Sequence, residues 1–159
     1  MSETEEQILA TNPIMEAFGN AKTTRNDNSS RFGKYIEIMF DSRTDIIGAK
    51  IRTYLLERSR LVFQPLKERN YHIFYQLVAG ASDAERDELG LLPVDQFDYL
   101  NQGASPVIDG VDDRAEFEAT KNSLTTIGVS TERQAQIFRV LAALLHIGNI
   151  KITASRTES

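Results

Sequence analysis

Residues 26–34, with the sequence NDNSSRFGK, run directly into residues 35–40, with the sequence YIEIMF. The first segment is mostly polar and predicts a loop, whereas the β-branched and aromatic residues of the second predict a strand. We expect this strand to be buried on one face and over most of the other, because Glu37 is its only charged residue. Gly33 gives the backbone conformational freedom where the loop ends. The sequence therefore predicts a polar loop attached to the start of a strand.

The loop carries side chains that suit a site for phosphate and a metal ion. The hydroxyl oxygens of Ser29 and Ser30 suit a hard cation such as Mg²⁺, and amides such as that of Asn26 can hold phosphate oxygens. Arg31 can bind a carboxylate or a phosphate through two parallel hydrogen bonds. Because Asn, Ser and Gly also dominate ordinary turns, residue type alone favours the simpler interpretation, which is a solvated loop between a helix and a strand.

A second strand is predicted after the first. Residues 41–45 form a polar turn of about hairpin length, and residues 46–56 then show the alternation of a strand. The two strands predict an antiparallel hairpin. A hairpin of this kind is marginal by itself and needs further strands or helices beside it.

Helical sequence is predicted before the loop. Residues 5–11 have a helical pattern, and Asn12-Pro13 is expected to restart the helix, because Asn is a good cap and Pro fits the first helical position. The second piece, residues 14–18, is expected to end at Gly19 in the left-handed conformation. The end of this helix would then set the position of the polar loop.

Two helices are predicted after the hairpin. The first opens at Asn70 and closes at Gly80. It carries an apolar stripe that we expect to face the core, made of Ile73, Phe74, Leu77 and Val78. Ser82 and Glu85 have the spacing of a capping box for a short helix that ends at Gly90.

The last part of the chain predicts an ordered loop over residues 92–111 and two longer helices. Asp112 or Asp113 caps the first of these helices, which Gly128 stops. The second begins with a capping box over residues 131–134. Its apolar face is expected to consist of Ile137, Val140, Leu141, Leu144 and Leu145.

The C-terminal residues follow Gly148, which ends the last predicted helix. Ile150 and Ile152 are predicted to form a short strand. Residues 154–159 are expected to fray.

The composition is that of a globular domain, or part of one, with a sizeable core. Of the 159 residues, 41% are hydrophobic and 26% are charged. The absence of Cys excludes disulfides and thiolate zinc sites. The N-terminal sequence MSETEEQ is not a secretory signal, and no apolar run approaches the roughly 20 residues of a membrane span. We therefore expect a cytoplasmic protein that does not insert into a membrane.

The net charge of −5 is unevenly distributed. Residues 1–19, 20–70 and 71–159 carry −4, +5 and −6 respectively, so positive charge surrounds the polar loop. A basic middle region could attract nucleotide phosphates or nucleic acid, although alternating charges on solvated strand faces explain it at least as well. Nucleic-acid binding is not expected, because the interleaved aromatic residues of a base-stacking surface are missing.

Other groups that could be catalytic are better explained structurally. His72 and His146 lie on predicted helices with no second His or Cys at ligand spacing, so we expect structural or surface roles for both. Asp112 and Asp113 would diverge by about 100° on a helix and suit capping better than paired acid–base chemistry. No nucleophile elbow and no plausible Ser/His/Asp set is present.

The order of these residues resembles switch I of the myosin motor head. The similarity comprises NDNSSRFGK with NAKTTR (residues 20–25) before it and YIEI after it. It extends over nearly the whole chain through four further segments, which are NPIMEAFG (12–19), IRTYLLERSR (51–60), NYHIFYQL (70–77) and ALLHIGNI (143–150). The sequence is most similar to fungal class V myosins, which carry cargo.

The resemblance implies a site for ATP and Mg²⁺. Asn26 would contact the phosphates, Ser30 would bind Mg²⁺ through its hydroxyl, and Ser29 would hold the γ-phosphate and the attacking water. Arg31 would pair with a glutamate in the segment called switch II. Ser29 and Arg31 would thus be the catalytic residues, and Asn26, Ser29 and Ser30 the nucleotide-binding ones. Asp27 lies at a position that varies in the family and is assigned no role.

The resemblance covers only part of a motor head. The 159 residues contain neither the Gly-x-x-x-x-Gly-Lys-Ser/Thr phosphate loop nor the Asp-x-x-Gly-x-Glu pattern of switch II. We therefore expect an α/β fold, part of a P-loop NTPase-type myosin head. Residues 1–159 would supply a hairpin from the central sheet and then part of the mainly helical upper 50-kilodalton subdomain. The isolated chain is expected to have no ATPase activity.

The implied function is that of an actin-based motor that moves vesicles or organelles along the actin cytoskeleton. Its partners would be the actin filament, through the intact head, and calmodulin-like light chains, through a lever arm that lies outside this sequence. The alternative is a stand-alone, non-catalytic module that binds a partner through an unpaired sheet edge.

Overall fold

The computed structural model describes residues 2–153 and begins with one long helix, α1 (Glu3–Gly19). The predicted restart at Asn12-Pro13 is wrong, because the helix continues through Pro13. Packing of α1 against two later helices offsets the backbone hydrogen bond that Pro13 cannot donate. The left-handed cap predicted at Gly19 is also wrong, since Gly19 has no positive φ and the chain passes directly into an extended Asn20.

Two antiparallel hairpins follow α1. The first pairs β1 (Asn20–Ala21) with β2 (Ser29–Ser30) and closes residues 22–28 into a loop. The second pairs β3 (Gly33–Phe40) with β4 (Ile46–Tyr54), which confirms the predicted hairpin. β4 ends two residues earlier than predicted because Leu55, with a φ of 55°, is left-handed and leaves the extended conformation.

The prediction that the strand after the polar loop is buried is wrong. Tyr35, Ile38, Met39 and Phe40 are each between 45% and 57% exposed. Within residues 2–153, β3 pairs with β4 only, and α1 packs on this hairpin through β4. A two-stranded sheet cannot cover its own faces, so its apolar residues stay exposed unless other elements lie over them.

The rest of the described chain is mainly helical, as predicted. It contains α2 (His72–Gly80), α3 (Asp83–Leu89), α4 (Asp113–Thr126) and α5 (Thr131–Gly148). Short 3-10 turns occur at Arg58–Leu61 and Val94–Gln96. α1 packs on α2 and α4, while α5 packs on α3 and α4, so the helices enclose one core.

α2 lies at the centre of this core, as its apolar stripe predicts. It begins two residues later than expected, because the Asn70 side chain donates to the carbonyls of Leu61 and Tyr99 instead of capping the helix. The main hydrophobic cluster comprises Ala17, Tyr71, Ile73, Phe74, Tyr75, Leu77, Val78, Ala81, Leu91, Phe97, Leu100, Phe117, Leu124, Phe138, Leu141, Ala142 and Leu145.

The N-terminal caps of α3 and α4 agree with the sequence, whereas that of α5 is shifted by one residue. The predicted capping box of Ser82 and Glu85 begins α3, and Asp112 caps α4. α5 is capped by Ser130 rather than Thr131, because the Ser130 hydroxyl accepts a hydrogen bond from the backbone N–H of Arg133.

The apolar face of α5 is only partly as predicted. Leu141 and Leu145 are buried, but Val140 is 61% exposed, and Phe138 is buried although it was not predicted. Two residues along a helix correspond to a rotation of roughly 200°, so Phe138 and Val140 lie on opposite sides. Burial of the larger aromatic side chain therefore turns Val140 to the surface.

The strand predicted at Ile150 and Ile152 is wrong. Neither residue belongs to an element, and their exposed fractions are 63% and 93%. No other strand within residues 2–153 pairs with them, so their backbone has no ladder to join. The predicted fraying of residues 154–159 lies outside the described residues.

Candidate functional site

The polar loop is held at its base by backbone hydrogen bonds. In the first hairpin Asn20 lies opposite Ser30, and Ala21 lies opposite Ser29. The backbone N–H of Arg31 donates to the carbonyl of Gly19 at 2.8 Å. The C-terminal end of α1 therefore sets the position of both serines.

Asn28 connects the loop to α1 and α2. Its Oδ1 accepts hydrogen bonds from Asn20 Nδ2 and His72 Nε2, both at 3.0 Å, and its Nδ2 donates to Glu16 Oε2 at 3.2 Å. Burial, together with the nearby positive charge of Arg69, lowers the pKa of His72 to about 4. His72 is therefore neutral near pH 7 and donates through Nε2, because the Asn28 oxygen can only accept.

Arg69 connects the start of the loop to the helices. Its backbone N–H donates to the carbonyl of Lys22 at 3.0 Å. Its side chain is fully buried, lies 3.8 Å from the centroid of the Tyr75 ring, and makes two hydrogen bonds of 2.9 Å to Asp113 at the start of α4. Both ends of the loop are thus attached to the helical core.

Asn26 lies at the exposed tip of the loop. Its Oδ1 accepts from the backbone N–H of Asn28 at 2.8 Å, and its own backbone N–H donates to Thr23 Oγ1 at 3.1 Å. These bonds fix the turn. Within residues 2–153 the Nδ2 group of Asn26 has no partner, so this amide is free to donate to a phosphate oxygen.

Ser29 and Ser30 present their hydroxyl groups differently. The Ser30 hydroxyl donates to the carbonyl of Phe32 at 2.9 Å, which leaves its oxygen lone pairs open to a hard cation. The Ser29 oxygen accepts from Arg31 Nη1 at 3.0 Å, which leaves its proton available for a phosphate oxygen or a water. The Ser30 oxygen therefore suits Mg²⁺ as a ligand, and the Ser29 hydroxyl suits a phosphate oxygen as a hydrogen-bond donor.

Arg31 is the first member of a row of ion pairs. Its Nε donates to Glu57 Oε2 at 2.6 Å, and the same oxygen accepts from Arg60 Nε at 2.9 Å. Arg60 also donates to Glu68 Oε2 at 2.9 Å. Burial acts to raise the pKa of Glu57, but the hydrogen bonds from Arg60 and Arg31 outweigh it and lower that pKa. Glu57 is therefore ionised at neutral pH.

Gly33 has a different role from the one expected. Its φ is not positive, so the position needs no special backbone freedom. Instead the ring of Tyr54 on β4 lies so close that a Cβ on residue 33 would be 2.3 Å from it. Gly33 thus allows the close approach of the two strands where the loop ends.

Sequence reasoning missed Glu57 and the contact between Asn28 and His72. Extending the hairpin register outward from Gly33 and Tyr54 would place Arg31 opposite Leu56, and the left-handed backbone at Leu55 brings Glu57 to Arg31 instead, so the pairing alone does not identify Glu57. The Asn28 to His72 contact joins residues 44 positions apart and has no local signal. The structural role expected for His72 thus includes holding the polar loop.

The described residues place limits on other kinds of site. Between residues 2 and 153, no group of three or more His, Cys, Asp or Glu side chains is arranged to hold a metal ion. A cation at Ser30 would therefore depend largely on hydroxyl, phosphate and water oxygens. In the same part of the chain, no helix combines the length and the apolar character needed to cross a membrane.

The fold and the loop define an α/β segment in which a helix end and a hairpin hold groups suited to phosphate and a hard cation. A family model described as the myosin head (motor domain) matches residues 1–159. The chain therefore belongs to the myosin head family. This finding confirms the expected fold class, an α/β part of a P-loop NTPase-type myosin head.

Individual relatives agree with the family. The chain is 65% identical to Myosin-2A of Naumovozyma castellii over 159 residues, which is 100% of the chain and 10% of that protein. It is 57% identical to Myosin-4 of Saccharomyces cerevisiae over 159 residues, which is 100% of the chain and 11% of that protein. It is 59% identical to unconventional myosin-Va of Homo sapiens over 155 residues, which is 98% of the chain and 8% of that protein. The chain thus spans about a tenth of the length of these relatives.

Proposed function

We propose that residues 22–31 act as switch I of an actin-based motor and close on Mg²⁺–ATP. The observation that carries this proposal is the anchored loop itself. Its base is fixed to α1, α2 and α4, while the Asn26 amide, the Ser29 proton and the Ser30 lone pairs are free for a ligand. A rigid base with free donors favours phosphoryl transfer, which depends on positioning and on charge stabilisation.

Each loop residue has a distinct role in this proposal. Asn26 donates to the phosphates, and Ser30 holds Mg²⁺ through its hydroxyl oxygen. Ser29 holds the γ-phosphate and orients the attacking water. Arg31 pairs with a glutamate of switch II when the site closes. Mg²⁺, when bound, neutralises charge on the phosphate oxygens.

Residues 1–159 are proposed to form part of a motor domain whose phosphate loop and switch II lie elsewhere in the protein. The exposed apolar residues of the second hairpin support this, because strands of a central sheet are covered by neighbouring strands and helices. In this proposal the hairpin supplies two strands of the central sheet, and α2 to α5 belong to the upper subdomain.

The complete protein is proposed to be a cargo motor of class V that carries vesicles or organelles on the cytoplasmic actin cytoskeleton. The similarity to unconventional myosin-Va supports the class. Actin filaments would bind the intact head, and calmodulin-like light chains would bind a lever arm outside this sequence. Transport by a purified full-length protein on immobilised actin filaments tests this part of the proposal.

Arg31→Ala in a motor head that contains this segment tests the loop assignment. ATP binding should stay largely intact, because Asn26, Ser30 and the phosphate loop still hold the nucleotide. The hydrolysis step should slow by orders of magnitude, because the site no longer closes around the attacking water. Single-turnover kinetics separate the two steps. Arg25→Ala, which removes an equal charge from the same loop, should leave both steps unchanged.

A charge exchange distinguishes the two possible partners of Arg31. Arg31→Glu, combined with the opposite change at the switch II glutamate, should recover part of the hydrolysis rate, since a reversed pair can still close. Loss of ATP binding itself in Arg31→Ala would instead show that Arg31 contacts the phosphate directly. No recovery from the exchange, with each single variant well folded, would also contradict the pairing.

A further inference from the structure

Glu57 lies immediately beyond β4, where the backbone fixes it beside the polar loop. Its N–H donates to the carbonyl of Arg31 at 2.9 Å. Its own carbonyl accepts from the Tyr71 hydroxyl at 2.6 Å, and Tyr71 belongs to the core. The position of Glu57 relative to Arg31 is therefore set by main-chain contacts and does not depend on their side chains.

The Glu57 carboxylate determines how the Arg31 guanidinium is presented. Arg31 Nε donates to Glu57, and Nη1 donates to Ser29. Within residues 2–153 the third nitrogen, Nη2, has no hydrogen-bond partner. Because a guanidinium is planar, fixing two of its nitrogens also fixes the direction of the third.

The carboxylate is itself held from the opposite side. The side chain of Arg60 is only 5% exposed and donates to the same Glu57 oxygen that Arg31 binds. Arg60 in turn is held by Glu68 and by the carbonyl of Arg69. A buried cation therefore keeps Glu57 ionised and oriented toward Arg31.

We propose that Glu57 is a positioning residue for the polar loop, holding Arg31 so that its Nη2 edge faces the incoming carboxylate. The proposal rests on the function proposed above for Arg31. Without Glu57, Arg31 would sample several rotamers and lose its fixed contact with Ser29. The contact between Arg31 and the switch II glutamate would then have to order the mobile Arg31 side chain. Hydrolysis, which depends on this closure, would be slower.

A purely structural role explains the arrangement less well. The side chains of Arg31 and Glu57 are 28% and 33% exposed, and ion pairs with that much solvent contact contribute little to stability. The buried member, Arg60, retains Glu68 and a backbone carbonyl when Glu57 is neutralised. Removing the charge of Glu57 should therefore leave the fold intact while it weakens the hold on Arg31, because a neutral amide oxygen accepts a weaker hydrogen bond than a carboxylate does.

Glu57→Gln in a motor head that contains this segment is the test. Single-turnover kinetics should show hydrolysis slowed by about tenfold or more, with ATP binding changed by less than about twofold. Glu88→Gln is the control, because it neutralises a carboxylate in an exposed ion pair with Arg139 that touches neither the polar loop nor Arg60, and its hydrolysis rate should stay close to that of the unaltered head. In the Arg31→Ala background, Glu57→Gln should add nothing further.

Other outcomes would overturn the proposal in distinguishable ways. Normal hydrolysis in Glu57→Gln, or an equal loss with and without Arg31, would show that Glu57 does not act through Arg31. Normal hydrolysis in Arg31→Ala alone would overturn the proposed function of Arg31 and the role of Glu57 with it. If Glu57→Gln does not fold, Glu57→Asp keeps the charge beside Arg60 but withdraws the carboxylate by one methylene. It should also slow hydrolysis, and an unchanged rate would contradict the proposal.

Discussion

Arg69 and Asp113 form a two-point ion pair between the segment before α2 and the first residue of α4. Nη1 and Nη2 of Arg69 donate to Oδ2 and Oδ1 of Asp113, both at 2.9 Å. The guanidinium is fully buried against Tyr75, and the backbone N–H of Arg69 holds Lys22 at the start of the polar loop. This pair therefore connects the loop to the helical core.

Asp113→Ala should destabilise the chain by about 3 kcal/mol, because it leaves a buried guanidinium without its counter-charge. Asp112→Ala is the matched control, since it removes the neighbouring carboxylate, which only caps α4, and should cost about 1 kcal/mol. Urea unfolding monitored by circular dichroism measures both. Equal losses for the two variants would show that the buried pair contributes no more than a helix cap.

Leu141→Ala should cost on the order of 2–5 kcal/mol, because Leu141 is only 7% exposed within the cluster around α2. Val140→Ala, at the adjacent and largely exposed position, should change the unfolding free energy by less than about 0.5 kcal/mol. The same urea titration compares the two variants. A small loss at Leu141 would place its helix face at the surface.

The isolated chain should associate in solution through the exposed apolar face of the second hairpin. Ile38 and Phe40 lie on β3 and are 45% and 56% exposed, and β3 has a free hydrogen-bonding edge within residues 2–153. Sedimentation velocity over a range of concentrations should show self-association that the double substitution Ile38→Lys and Phe40→Lys reduces. Val140→Lys, which removes an exposed apolar residue from α5, should leave association unchanged. A strictly monomeric chain that melts cooperatively would contradict this prediction.

Stability should fall as the pH is lowered from about 6.5 to about 4, because the folded chain holds His72 neutral. Burial depresses the pKa of His72 from its ordinary value of 6.5, so the unfolded chain takes up a proton at a higher pH than the folded chain. Above pH 6.5 His72 is neutral in both the folded and the unfolded chain, so it costs no stability there. As the pH falls toward 4, the unfolded chain takes up the proton first, and the free energy of unfolding decreases by up to about 1.4 kcal/mol per pH unit. His72→Gln should flatten this dependence, whereas His146→Gln should retain it. Identical pH profiles for the two variants would contradict the assignment.

The isolated chain should show no Mg²⁺-dependent ATPase activity above background. Its 159 residues contain no phosphate-loop lysine and no switch II glutamate, so the proposed site lacks part of its nucleotide cradle and the partner of Arg31. A coupled phosphate-release assay, with and without actin filaments, measures this. Turnover that Ser30→Ala abolishes would contradict the prediction.

Local sequence patterns predicted most of the secondary structure. The polar turn between two alternating segments predicted the hairpin of β3 and β4, and the capping residues Ser82 and Asp112 marked the starts of α3 and α4. These features depend on interactions between residues a few positions apart, so the sequence contains them directly. The loop residues Asn26, Ser29, Ser30 and Arg31 were also identifiable by their chemistry, although their roles remain proposals.

Only the tertiary structure decided which surfaces meet. The continuation of α1 through Pro13, the exposure of Val140 and the partners of the loop follow from packing between distant elements. Asn28 contacts His72, and Arg69 contacts Asp113, and each pair is separated by 44 positions in the sequence. No local pattern encodes such contacts, because they form when the summed burial of whole helices brings their polar residues together. The sequence therefore determined which groups the loop contains, and the packing of α1, α2 and α4 determined where the loop holds them.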